Sequence, residues 1–144
     1  MPKRVLLLQL DGKLPNLALM RIASHHRERQ DDVELRVTGN TNAVQPQLGD
    51  PAFDEVYASL IFERTKPVAE EVLTVYPHAK IGGTGWSKSD TLATVGIDPL
   101  GEVDYADYPN WKSSLGFTQR GCRLRCSFCV VPEKEGAIQE VNTI

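Results

Sequence analysis

A chain of 144 residues with 41% hydrophobic content fits one ordinary domain, or one domain and part of a second, and carries enough apolar mass to argue against disorder. Its net charge of −3 speaks against a general nucleic-acid or membrane-surface role. No stretch approaches the ~20 apolar residues of a membrane-spanning helix. The run from Val5 to Leu10 stops at Asp11, short of the ~7–15 residues of a secretory-signal core. The expected compartment is therefore the cytoplasm.

Arg4–Leu10 is a continuous apolar run ended by Asp11-Gly12, as expected of a strand buried on both faces. Pro15 suits the first turn of a helix reaching about Arg29, with Leu14, Leu17, Ala18 and Ile22 on one face. Val33–Val37 alternates like a second strand, and Thr38–Pro51, rich in Gly, Asn, Pro and Gln, reads as a loop. Glu55–Phe62 is a third strand. Thr65 then caps a helix whose first turn holds Pro67, Glu70 and Glu71 and whose stripe is Val68, Val72 and Tyr76. Ala79–Ile81 is a short fourth strand running into Gly82-Gly83-Thr84-Gly85. This alternation implies an α/β domain over residues 1–86 with a mainly parallel sheet.

Residues 87–112 carry Pro99, Gly101, Pro109 and several acidic residues without periodicity, and are expected to form a connector. Ser114–Thr118 reads as a strand feeding the most informative segment of the chain. All three cysteines, Cys122, Cys126 and Cys129, fall within eight positions in the spacing C-x3-C-x2-C. In a reducing compartment such a cluster favours metal over disulfide. Thiolates are the usual protein ligands of iron–sulfur clusters, and three of them on a four-iron cubane leave one iron open. A structural zinc site wants four ligands. There is no fourth cysteine, and His25, His26 and His78 lie in the other half of the chain. His25 and His26, late in an amphipathic helix, read as surface or last-turn residues. Arg120, Arg123 and Arg125 either form a solvated loop face or offset the charge of a thiolate-ligated centre.

The segment Gly116–Gly136, GFTQRGCRLRCSFCVVPEKEG, resembles the C-x3-C-x-aromatic-C signature of radical S-adenosylmethionine (radical SAM) enzymes, with Phe128 in the aromatic slot. The resemblance implies that residues 113–144 open a radical SAM (β/α) barrel with its first strand and cluster loop. Cys122, Cys126 and Cys129 would hold a [4Fe–4S] cluster, and SAM would chelate the open iron. An electron from an external reductant would then cleave SAM to methionine and a 5′-deoxyadenosyl radical. By the same carry-over Phe128 would lie near the adenine, although core packing explains such an aromatic equally well.

The N-terminal part resembles the Rossmann-like, cobalamin-binding domain that precedes the barrel in many of these enzymes. Asp11 after the first strand and Gly82, Gly83 and Gly85 after the fourth would then face cobalamin. The histidine of the D-x-H-x-x-G cobalamin motif is missing, since Gly12-Lys13 follow Asp11, and the glycines also suit a plain tight turn. Methylthiotransferases share the cysteine spacing but use three further N-terminal cysteines, of which this chain has none. The 144 residues hold only the start of a barrel, so they are expected to be inactive alone, as a truncated or split enzyme whose remaining barrel another chain supplies. The alternative is a non-catalytic α/β module carrying an iron–sulfur or zinc site to a partner. Neither reading calls for a membrane or nucleic acid.

Overall fold

The computed structural model describes residues 1–38, 44–117 and 119–141. The chain divides into two compact units, Met1–Lys112 and Ser113–Ile144. No helix among the described residues is long and apolar enough to cross a membrane.

In the first unit the elements run β1 (Arg4–Gln9), α1 (Leu17–Glu28), β2 (Asp32–Val37), β3 (Glu55–Ser59), α2 (Lys66–Val75) and β4 (Lys80–Gly82). All four strands are parallel in the order β2-β1-β3-β4. Strand β1 is central, registered through Val5↔Val33 on one side and Val5↔Glu55 on the other. The α/β architecture with a parallel sheet is thus present, in an arrangement consistent with a Rossmann-like fold. Part of the expected loop Thr38–Pro51, residues 39–43, lies outside the described residues.

The apolar run of β1 has no polar face because both its faces are covered. Leu6, Leu8 and Leu10 pack with Val56, Ala58, Leu60 and the α2 residues Ala69 and Val72. Val5 and Leu7 point the other way, to Tyr57 and the α1 residues Leu19, Ile22 and Ala23. Each fully buried leucine contributes roughly 1.5–3 kcal/mol, so this one strand anchors both cores.

Helix α1 starts later than Pro15 suggests. The cap is Asn16, whose side chain accepts from the Leu19 amide at 3.1 Å and donates to Ser59 Oγ at 3.0 Å. Helix α2 has Thr65 in the cap position without a capping hydrogen bond, because a 3-10 turn over Glu63–Thr65 leads into it. Strand β3 ends at Ser59, three residues earlier than the apolar pattern suggests.

Residues 87–112 contain a 3-10 turn, Leu92–Val95, and otherwise irregular chain that folds onto α1. Ile97 completes the α1-side core. Arg27 donates to Asp104 at 2.8 Å and to both carboxylate oxygens of Asp107 at 2.8 and 2.9 Å. Arg21 reaches the Gly101 carbonyl at 3.2 Å.

The second unit is small. Strands β5 (Gln119–Arg120) and β6 (Gln139–Glu140) pair antiparallel, with Arg120 opposite Gln139, and the short helix α3 (Val131–Lys134) lies between them in sequence. Residues 114–117 of the strand expected at Ser114–Thr118 are irregular, and Thr118 lies outside the described residues. Among the described residues of this segment, Gln119 and Arg120 are the ones paired with β6.

Candidate functional site

The three cysteines occupy a loop that leaves β5 and returns to β6. Its neck is closed by three hydrogen bonds. The Cys122 amide donates to the Gly136 carbonyl at 3.1 Å. Glu135 accepts from Arg120 Nη1 at 2.8 Å with one carboxylate oxygen and from the Gly121 amide at 3.0 Å with the other. Gly121 itself has φ +85°, and a Cβ there would lie 2.1 Å from the Ala137 carbonyl oxygen, so no other residue fits this crossing without displacing backbone.

Within the loop the Leu124 amide donates to Cys122 Sγ at 3.4 Å. The Cys129 amide closes a turn on the Cys126 carbonyl at 3.0 Å. Helix α3 follows, with Pro132 in its first turn, and the Val131 carbonyl accepts from the Glu135 and Gly136 amides at 2.8 and 3.1 Å. All three thiols are free and half-buried. The donor chemistry therefore fits an iron–sulfur cluster. Convergence is another matter: among the described residues no three His, Cys, Asp or Glu side chains are grouped to hold a metal ion.

The arginines divide. Arg120 is engaged by Glu135 and stacks over the Phe117 ring at 4.2 Å, whereas Arg123 and Arg125 are exposed. Phe128 is 91% exposed, which removes core packing as its explanation. Lys134 has its ammonium pKa lowered by burial.

Asp11 and the glycines meet at the carboxyl end of the parallel strands. Asp11 accepts from the Ile61 amide at 2.8 Å and from the Phe62 amide at 3.0 Å, one with each oxygen. On Gly83, with φ +103°, a Cβ would stand 2.0 Å from the Leu60 carbonyl oxygen, and on Gly85 one would stand 2.6 Å from the Phe62 carbonyl carbon. Gly82 has open space at that position. Asp11, Gly83 and Gly85 thus all hold the segment Leu60–Phe62, where β3 ends. Their residue types follow from that packing.

The strand order places a reversal of direction between β1 and β3, the position where open α/β sheets commonly receive ligands. Here protein groups meet one another at that point. The Tyr108 hydroxyl donates to Gln9 Oε1 at 2.5 Å and accepts from the Asn16 amide at 3.3 Å. Gln9 Nε2 donates to the Leu14 carbonyl at 3.0 Å. The sequence pattern did not single out Gln9 or Tyr108, although Gln9, a lone amide inside an apolar run, was a usable signal. Nothing near Tyr108 marks it.

His26 is a correction. It is buried, not a surface residue, with Nδ1 at 2.8 Å from Asp31 Oδ2 and Nε2 at 3.2 Å from the Tyr57 hydroxyl. Tyr57 donates to Glu55 at 2.5 Å, and Glu55 also accepts from Lys3 and Lys80. Burial pushes the Glu55 carboxyl up, but the hydrogen bonds from Lys3, Tyr57 and Lys80 outweigh it and hold the pKa down at about 2. Tyr57 is pushed up, first by burial and then by Glu55.

No protein-family model matches the chain, and no curated protein or solved structure matches it either.

Proposed function

We propose that the chain comprises the N-terminal α/β unit and cluster loop of a radical SAM enzyme, with Cys122, Cys126 and Cys129 holding a [4Fe–4S] cluster whose open iron would take SAM. The observation that carries this reading is the C-x3-C-x2-C spacing with an aromatic residue directly before the third cysteine. Three free thiols on one loop agree with it. When bound and reduced, such a cluster supplies the electron that cleaves SAM to a 5′-deoxyadenosyl radical.

In this reading the chain's own groups bind and balance charge. The three sulfurs are the ligands, and the Leu124 amide donates to the Cys122 sulfur. Arg123 and Arg125 offset negative charge at the loop, a task from which Arg120 is withdrawn by Glu135. Because the thiols are not grouped for metal, cluster assembly has to draw the loop inward. The second unit is then the entry to the barrel. Cobalamin has no part in the proposal, since Asp11, Gly83 and Gly85 are accounted for by the Leu60–Phe62 segment.

Anaerobic reconstitution with iron and sulfide tests the reading. The account expects about four irons per chain, the content of a [4Fe–4S] cluster, lost on replacing any one cysteine by serine. Zinc bound in preference to iron, or cysteine variants that load like the parent, would sink it. The antiparallel β5–β6 closure favours a second reading, a self-contained metal-carrying module. That module would load iron and ignore SAM.

A further inference from the structure

Both rims of the cysteine loop's neck are made by consecutive residues, and one side chain spans them. On the outgoing rim stand Arg120, Gly121 and Cys122; on the returning rim stand Glu135 and Gly136. Glu135 uses one carboxylate oxygen for the Arg120 guanidinium and the other for the Gly121 amide. The next donor along, the Cys122 amide, goes to the Gly136 carbonyl. Those contacts close a loop of residues 122–135 that contains every thiol in the chain.

An ionised carboxylate is acceptor-only and serves two donors at once, and its hydrogen bonds to a cation or an amide are stronger than neutral ones. A glutamine has one acceptor oxygen and would have to release one donor. The approach is also close: Gly121 sits against the Ala137 carbonyl with no room for a side chain. The first ligand, Cys122, is thus attached directly to the most constrained crossing of the unit. Cys126 and Cys129 lie on the half of the loop where the Cys129 amide closes a turn on the Cys126 carbonyl and α3 follows.

We propose that Glu135 is the positioning residue of the cysteine loop, its carboxylate capturing the Gly121 amide so that Cys122 is fixed first and the other two thiols close onto it during cluster assembly. The inference rests on the cluster reading above. It also assigns Arg120 a different task from Arg123 and Arg125. Arg120 neutralises Glu135 inside the neck, and the exposed pair face outward.

Three chains decide it: the parent, Glu135→Ala and Arg120→Gln. Amide hydrogen exchange at Gly121, followed by NMR without metal, reads the clamp. Iron and sulfide content after anaerobic reconstitution, with the line shape of the reduced cluster's paramagnetic resonance, reads its consequence. Glu135→Ala should speed Gly121 exchange roughly ten-fold or more, the effect of losing a hydrogen bond to a charged group. It should also lower cluster content and broaden the resonance of what forms. Arg120→Gln keeps the carboxylate on Gly121 and should stay within a factor of about three of the parent. Unchanged exchange in Glu135→Ala, which removes both acceptor oxygens, overturns the clamp. So does an Arg120→Gln chain that opens Gly121 equally, since the carboxylate would then act only through the ion pair. A parent chain that takes up no iron overturns the cluster reading and the purpose of the clamp, while the exchange result still decides whether the clamp exists.

Discussion

The carboxyl edge of the parallel sheet and the cysteine loop both carry residues of the kind that hold ligands, yet they use them in opposite ways. At the sheet edge the chemistry is turned inward. Asp11 has both oxygens on backbone amides, Gln9 and Tyr108 bond one another, and two glycines make room for neighbouring backbone. In the loop the neck is occupied in this way, by Glu135. Beyond it the thiols are free, Arg123 and Arg125 are exposed, and Phe128 stands in solvent. A residue type names a capability; whether its hydrogen-bonding capacity is already taken decides whether that capability is available.

The contrast can be broken most severely at Gly83. Gly83→Ala puts a Cβ into the Leu60 carbonyl and onto an unfavourable φ, and should destabilise the first unit by about 4 kcal/mol. Urea unfolding followed by tryptophan fluorescence measures it, and a loss below 1 kcal/mol would mean the turn relaxes easily. Asp11→Ala leaves the Ile61 and Phe62 amides without their acceptor. About 2 kcal/mol is expected from the same titration; a silent substitution would reopen Asp11 as a ligand-facing group.

Acid tests the other end of the sheet. Glu55 has a folded pKa of about 2, below the unfolded carboxyl at about 4.3. Its contribution is therefore complete above the unfolded value and is lost as pH falls from there toward 2. Glu55→Gln should flatten the stability–pH curve across that window, and an unaltered curve would show that other carboxylates govern acid unfolding. Tyr108→Phe should cost about 1 kcal/mol, readable as a small shift in unfolding midpoint.

The smallest effect on stability belongs to the loop. Phe128→Ala should change global unfolding by less than about 0.5 kcal/mol, because nothing packs on that ring. A larger loss would mean that the aromatic is a core residue after all.

Period and composition made the first unit legible. A short apolar run bounded by turn residues reads as a strand covered on both faces, and β1 is one. The α2 stripe of Val68, Val72 and Tyr76 packs on the core, whereas of the residues expected on the α1 stripe Ile22 is buried, beside Leu19 and Ala23, and Leu14 is exposed. What escaped was set by distant partners. Asn16 displaced Pro15 as the helix start because its amide group reaches both Leu19 and Ser59. His26 left the surface because Asp31 and Tyr57 meet it, and no local pattern encodes those meetings. Residues 87–112 lack periodicity, so their attachment to α1 through Arg27, Asp104 and Asp107 has no sequence signature. In the loop the cysteines announced themselves by spacing alone, whereas the clamp from Glu135 depends on two chain segments coming together.

The most direct measurement is electron paramagnetic resonance of the anaerobically reconstituted, reduced chain, recorded with and without SAM. The account predicts a [4Fe–4S] signal that shifts when SAM is added, because three cysteine ligands leave one iron able to take it. A cluster signal indifferent to SAM, or no cluster signal, would contradict the assignment of the loop to radical SAM chemistry.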